Sequence, residues 1–416
     1  TEIYTLSLHD ALPIYNPYAE WYLNSIRVGG DDYREFHDKT FGSGFDYDGF
    51  IPLFDEANKK WDPTEWARFF KEIGARYVVL TTKHHDGFRL WPSSLPNPLK
   101  GDYQTKRNLV GELTAAVRKE GLKMGLYYSG GLDWTFNLNA IYETTTMLSN
   151  APQSKEYGEY IDGHVKELID LFKPDVLWND IAYPIEGKLH DVIAYYYNQV
   201  PEGVINDRWK QIPKVARFLA KTFLIKKIIN YIAKKVVKSG GFEGRAPGAI
   251  GDYSTPEYEP NARLRTFKWE SCRGIGRSFG YNHMETAEHY LSPQDLILSF
   301  IDIVSKNGNL LLNIGPMPDG TIPKLQRERL IAFGEFLKFN GEGIYGTKPW
   351  IQSDCIGNEN TPIRFTYKES VDNQSKNLYI FTLGIPSSKS IKIDNIPLPR
   401  IKEIFFLESR DRKSVV

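Results

Sequence analysis

From about residue 60 the chain repeats one unit: a helical stretch, a short apolar run, then a polar or charged residue where the run ends. That alternation predicts βα units around a parallel sheet. Asp62-Pro63-Thr64-Glu65 opens a helix with an acidic cap, Pro at the first position and an acid in the first turn. This helix runs to Gly74 and leads into Tyr77-Val78-Val79-Leu80-Thr81-Thr82, which feeds Lys83-His84-His85-Asp86-Gly87. A second helix, Leu109 to Glu120, precedes the run Met124 to Ser129. A third, Tyr160 to Phe172, is broken by Lys173-Pro174 and precedes Asp175 to Asp180. Further runs are Val204 to Arg208, Phe267 to Glu270 and, after a helix over Pro293 to Ser305, Asn309 to Asn313.

With 416 residues the chain has room for a barrel and a smaller module. The expected fold class is α/β, a (β/α)8 TIM-like barrel over residues 15–345. After Gly341 to Gly346 the pattern changes to alternating strands, Ile363 to Tyr367 and Leu378 to Thr382, so residues 346–410 are expected to form a truncated all-β sandwich. Both tails read as artefacts. Thr5 to Ile14 translates a common sequencing adapter and Asp411 to Val416 its reverse complement, so residues 1–14 and 411–416 are set apart from the fold. On this reading a native N-terminus, and any leader with it, has been replaced; the compartment, secreted or periplasmic or cytoplasmic in a bacterium, is unreadable.

Lys+Arg and Asp+Glu balance at 52 each, which argues against nucleic acid as a partner. Aromatic residues make up 14% of the chain; they fill cores, but also form the flat platforms of sugar-binding clefts. The two cysteines, Cys272 and Cys355, fall in different expected domains, so no disulfide framework exists. No run approaches the length of a membrane span.

Function in a barrel of this type sits at the C-terminal strand ends. His84, His85, Tyr127, Asp180, Arg208 and Glu270 each follow an apolar run within a few residues. Asp180 and Glu270 both also follow a tryptophan. Two carboxyl groups about 5–5.5 Å apart, one attacking and one protonating, are what retaining glycoside hydrolysis needs. From spacing alone, either carboxylate could instead be a barrel-mouth salt bridge to Arg208 or Arg273. Adjacent strand residues point to opposite faces, so His84-His85 suits hydrogen bonding to hydroxyls better than shared metal ligation. Serine-hydrolase elbows and phosphate loops are absent from the sequence. Lys210 to Lys238 has nine basic residues and no acid, with apolar positions near helical spacing. It is expected to be a helical insertion at about 210–240 packed beside the barrel mouth, with contact to an anionic membrane as the other reading.

Four ordered strings carry a family resemblance: Tyr77 to Phe88, Pro174 to Asp180, Asn206-Asp207-Arg208-Trp209, and Lys268-Trp269-Glu270 through Asn282. Together, over roughly Pro17 to Tyr345, the chain resembles family 29 of the glycoside hydrolases, the retaining α-L-fucosidases. The resemblance implies an exo-acting enzyme that removes terminal α-L-fucose from a fucosylated oligosaccharide or glycoconjugate by double displacement, with no metal or other cofactor. It implies Asp180 as nucleophile and Glu270 as acid/base. His84, His85, Tyr127, Arg208 and the pair Glu20-Trp21 would contact the sugar, and Trp178 would lie against its C5-methyl side. Family members begin with a strand resembling Phe-Gly-x-Phe-x-His-Trp-Gly, which this chain lacks before Glu20-Trp21, so the first barrel strand is expected to be missing and the polypeptide weakened. Two other readings remain: a non-catalytic fucose-binding barrel, against which a retained carboxylate pair argues, and a metal-dependent hydrolase, which chelation would inactivate.

Overall fold

The computed structural model describes residues 19–28, 31–219, 222, 225–231, 249–258, 263–369, 376–384, 387–388, 390–393 and 407. Both tails set apart above, and whatever precedes Ala19, lie outside the described residues.

The expected βα alternation is present. Four parallel strands pair in chain order: β1 (Tyr77–Lys83), β2 (Lys123–Ser129), β3 (Val176–Asp180) and β4 (Val204–Ile205). A second parallel pair is β5 (Trp269–Gly274) with β6 (Gly308–Asn313). The two sheets are joined by a short extended stretch, residues 253–257. It bridges β4's end through Asn206 and Tyr253 and runs parallel to β5 through Ser254–Trp269 and Glu257–Cys272.

Ahead of the strands lie α1 (Tyr22–Val28), α2 (Asp31–Phe41) and α3 (Phe50–Ala57). Helices α4 (Pro63–Glu72) and α5 (Leu109–Lys119) flank β1; α6 (Thr144–Asn150) and α7 (Lys155–Phe172) follow β2; α8 (Leu189–Gln199) follows β3. The short α9 (Lys214–Leu219) belongs to the insertion, α10 (Pro293–Ser305) lies between β5 and β6, and α11 (Lys324–Asn340) follows β6. The caps explain the boundaries. Asp62 accepts the Thr64 amide at 2.8 Å at the start of α4, and Gly74 supplies the positive φ (84°) just beyond its end. Helix α7 starts at Lys155, ahead of the expected Tyr160, because the Ser154 hydroxyl caps the Tyr157 amide at 3.1 Å.

The strands have two buried faces. Val78, Leu80, Met124, Leu126, Leu177, Ile205, Leu310 and Leu312 face the helices in the large core. Val79, Tyr127, Val176, Trp178, Cys272 and Leu311 form a separate cluster inside the barrel. The strict period of two between these sets is the strand pleat.

The fifth strand is framed differently from the sequence expectation. It spans Trp269–Gly274 rather than ending at Glu270. Glu270 is therefore its second residue, in register with Asn309 near the start of β6.

Beyond the barrel, β7 (Lys348–Ile356), β8 (Pro362–Glu369) and β9 (Lys376–Thr382) make an antiparallel sheet in the order β7-β8-β9. Trp350, Ile363 and Phe365 form its core. It docks on α10, where Arg364 and Lys306 both pair with Asp302. Among the described residues the small all-β module is this one sheet; residues 394–406 and 408–410 of the expected sandwich lie outside the described residues.

Candidate active site

A cavity of about 660 Å³ opens at the C-terminal strand ends and is lined by eight of the nine expected site residues: Glu20, Trp21, His84, His85, Tyr127, Trp178, Asp180 and Arg208. Glu270 is not among its lining residues.

Asp180 ends β3 and is 8% exposed. Its Oδ2 accepts the Tyr127 hydroxyl at 2.7 Å; its Oδ1 accepts Arg208 Nη1 at 2.7 Å and the Ile181 amide at 2.9 Å. These donors replace the water that burial removes. Immediately afterwards the chain passes through positive φ at Ile181 (54°) and Ala182 (80°). A β-branched residue adopts that region only when its surroundings impose it. Gly131 makes room for it: its amide donates to the Asp180 carbonyl at 3.0 Å, and a Cβ there would meet the Ile181 carbonyl oxygen at 1.9 Å.

Arg208 follows β4 and is tied to the end of β3, because the Asn206 side chain bonds both the amide (3.0 Å) and the carbonyl (2.9 Å) of Asn179. The guanidinium lies 4.5 Å from the centre of the Trp178 ring and donates from Nε to the Thr255 hydroxyl oxygen at 3.1 Å. With Nη1 on Asp180, its Nη2 reaches Glu257 Oε1 at 2.6 Å.

Glu257 is the residue the sequence reading missed. It lines the cavity, its side chain is 42% exposed, and it stands at the end of the extended stretch between β4 and β5. That stretch is hard to recognise: it is short and contains Pro256. The β-rich Tyr253-Ser254-Thr255 before an acid was the available signal.

Glu270 requires a correction. It is 2% exposed inside the barrel at the N-terminal end of β5, where Oε2 accepts the Tyr77 hydroxyl at 2.7 Å and Oε1 accepts Trp178 Nε1 at 3.1 Å. Tyr77 opens β1, so the pair sits at the barrel floor, far along the strands from the residues at their C-terminal ends. Shifting the strand frame by four residues moved this carboxylate from mouth to floor. Trp178 is where the two levels meet: it lines the cavity, stacks with Tyr127 (centroids 5.4 Å apart, 24° between planes) and hands its N–H to Glu270 below.

The histidines also differ from the expectation of opposite faces. Strand β1 ends at Lys83, and the chain has left the pleat before His84. Their rings lie 3.9 Å apart at 30° and both line the cavity. His85 Nδ1 bonds the Ser129 hydroxyl at 2.6 Å and its Nε2 lies 3.8 Å from Asp180 Oδ2. Burial, reinforced by His85, pushes His84 well below the usual imidazole range, so it faces a ligand uncharged. The loop is held by a fully buried ion pair, Lys83 to Asp133 at 2.9 Å.

Glu20 and Trp21 come from the single turn Ala19–Trp21 ahead of α1. Gly280 N and the Ser278 hydroxyl bond Glu20 Oε2 at 3.0 and 3.3 Å, and Trp21 meets His85 edge-on at 5.1 Å. Burial raises Glu20 to about 7. The Tyr127 hydroxyl is driven well up, first by burial and then by Asp180, and so remains a donor. Burial likewise raises the Cys272 thiol, leaving that cavity wall unreactive.

A cleft with two carboxylates on one guanidinium, an uncharged imidazole at His84 and aromatic walls can bind a neutral polyol and cleave an acetal. The comparisons agree with that chemistry. The family model described as Alpha-L-fucosidase matches residues 7–342. An alpha-L-fucosidase of Dictyostelium discoideum is 30% identical over 89% of this chain and 72% of its own length. The tissue alpha-L-fucosidase of Mus musculus is 33% identical over 77% of this chain, which spans 65% of that enzyme, just under two thirds. The solved structure of Thermotoga maritima alpha-fucosidase in complex with fucose is 40% identical, with a TM-score of 0.82, covering 100% of this chain and 89% of that one. The chain belongs to the alpha-L-fucosidase family.

Proposed function

We propose that this chain hydrolyses terminal α-L-fucosides with retention, with Asp180 as nucleophile and Glu257, in place of the expected Glu270, as acid/base. The observation that carries this reading is Arg208, which bonds Asp180 and Glu257 through different nitrogens at 2.7 and 2.6 Å. Two carboxylates sharing one guanidinium are held within reach of the ~5–5.5 Å separation of a retaining pair.

Asp180 attacks the anomeric carbon as the leaving oxygen takes a proton from Glu257; Glu257, now ionised, deprotonates the water that releases fucose. An ion-paired carboxylate donates no proton, so the productive complex has Glu257 detached from Arg208 and facing the glycosidic oxygen. Glu20, His84 and His85 hydrogen-bond the ring hydroxyls. Trp21 and Trp178 offer apolar faces, Trp178 to the C5-methyl that separates fucose from galactose of the same hand.

Azide separates the two roles by stereochemistry. Asp180→Gly loses aryl α-L-fucoside hydrolysis and, with azide, yields the β-fucosyl azide, because azide enters the face the carboxylate vacated. Glu257→Ala loses about 10²–10⁴-fold on poor leaving groups and yields the α-azide by attack on the glycosyl-enzyme. If Glu257→Ala keeps full activity, or Glu270→Gln rather than Glu257→Ala gives the α-azide, the assignment fails.

A further inference from the structure

The cavity is larger than one sugar ring requires; its volume of about 660 Å³ is that of sites enclosing drug-sized ligands. Its lining divides into two parts. The groups described above come from the strand ends and from the turn that carries Glu20 and Trp21, whereas one whole wall, Ile141, Tyr142, Glu143, Thr144 and Met147, comes from a single stretch leading into α6. That wall has the character a pyranose face needs: apolar Ile141 and Met147, an aromatic ring on Tyr142 that is 67% exposed, and polar groups between them.

The wall is built rather than loose. Asn24 clasps Ile141 through both its amide (2.8 Å) and its carbonyl (2.7 Å), fixing it to α1, just beyond the turn that carries Glu20 and Trp21. The Glu143 carboxylate receives Lys226 Nζ at 2.5 Å and Asn230 Nδ2 at 2.7 Å, both from the basic insertion. Arg217, also from the insertion, bonds the Leu148 and Ala151 carbonyls at 2.9 and 2.6 Å. Three insertion side chains therefore brace one short segment of the cavity rim.

Building on the fucosidase reading above, we propose that Ile141–Met147 is the leaving-group subsite, that Tyr142 is the platform for the sugar ring to which fucose is attached, and that the insertion sets its position. The ligand class is a fucosylated disaccharide or longer glycan, the apolar face of its next pyranose lying on Tyr142.

The test compares two substrates that share fucose and differ in leaving group: α-L-fucosyl fluoride, which has no second ring, and a fucosylated disaccharide. Lys226→Met combined with Asn230→Ala unclamps the wall without touching the cavity; it should leave fluoride hydrolysis unchanged and lower kcat/KM on the disaccharide. Tyr142→Ala should lower the disaccharide-to-fluoride ratio of kcat/KM about tenfold, and Tyr142→Phe should restore it. Equal losses on both substrates, or no loss on the disaccharide in either variant, overturn the subsite. Wild-type protein that hydrolyses neither substrate overturns the fucosidase reading instead.

Discussion

Glu20 is an acid that the fold holds close to neutrality. Buried at 6% exposure, it titrates at about 7 against an ordinary 4.5, with burial as the main cause and the Gly280 amide only partly offsetting it. A folded-state value above the unfolded one means the native protein binds that proton more tightly, so its contribution to stability is complete below pH 4.5 and fades as pH rises to 7. The full swing is up to about 3 kcal/mol. Glu20→Gln mimics the protonated form and removes this slope. Thermal melts of the two proteins from pH 4 to pH 8 should therefore diverge, wild type declining more steeply between 4.5 and 7. Asp86, raised to about 7 by burial, titrates in the same window in both proteins and cancels. Parallel melting curves would sink the prediction. Glu20 was legible in the sequence through its neighbour Trp21, but nothing there revealed its burial, because Ser278 and Gly280, which enclose it, lie about 260 residues away.

At the level of elements, the sequence identified which strands exist better than where each begins. Strands β1 to β3 were readable because an apolar run ends at a charged or small residue, and at β3 that residue is Asp180 itself. Strand β5 resisted for a physical reason. Trp269-Glu270-Ser271-Cys272-Arg273-Gly274 has little hydrophobicity, since its inward positions are Glu270 and Cys272, and the run that looks apolar lies upstream. A misframed strand carries its side chains to the wrong end of the barrel, which is how a floor carboxylate was read as a mouth carboxylate. The two frames predict opposite phenotypes. Glu270→Leu takes this acceptor from both the half-buried Tyr77 hydroxyl and the buried Trp178 Nε1, and a buried donor that loses its acceptor costs about 1–3 kcal/mol. The variant should show a clear fall in denaturation midpoint. Glu257→Gln, exposed on the rim, should unfold within about 0.5 kcal/mol of wild type while losing hydrolysis. A stability loss for Glu257→Gln with none for Glu270→Leu would restore the original frame.

Across the whole molecule, the question is whether the barrel and the C-terminal sheet are one cooperative unit. The large apolar core runs without interruption from Leu337 and Ile344 into Tyr379 and Phe381 of the sheet. Thr366 and Tyr379 add hydrogen bonds to Gly343 and Glu342, at 2.6 and 2.9 Å. The polar centre of the contact is Asp302 on α10, which holds Arg364 from β8 and Lys306 at 2.8 Å, all three side chains at most 16% exposed. Removing the anion takes it from two largely buried cations; among the described residues Lys306 keeps a second acid, Asp354 at 3.2 Å, and Arg364 does not. Breaking a buried pair in this way costs about 3–5 kcal/mol. Asp302→Ala should accordingly lower the midpoint of a single calorimetric transition, with amide exchange in β7, β8 and β9 accelerating ahead of the barrel strands. Fucoside hydrolysis at low temperature should persist, because every residue lining the cavity precedes Gly315 and none belongs to the sheet. Two separate transitions in the wild-type protein, or hydrolysis lost while the fold remains intact, would mean that the sheet acts on the site rather than supporting the barrel that carries it.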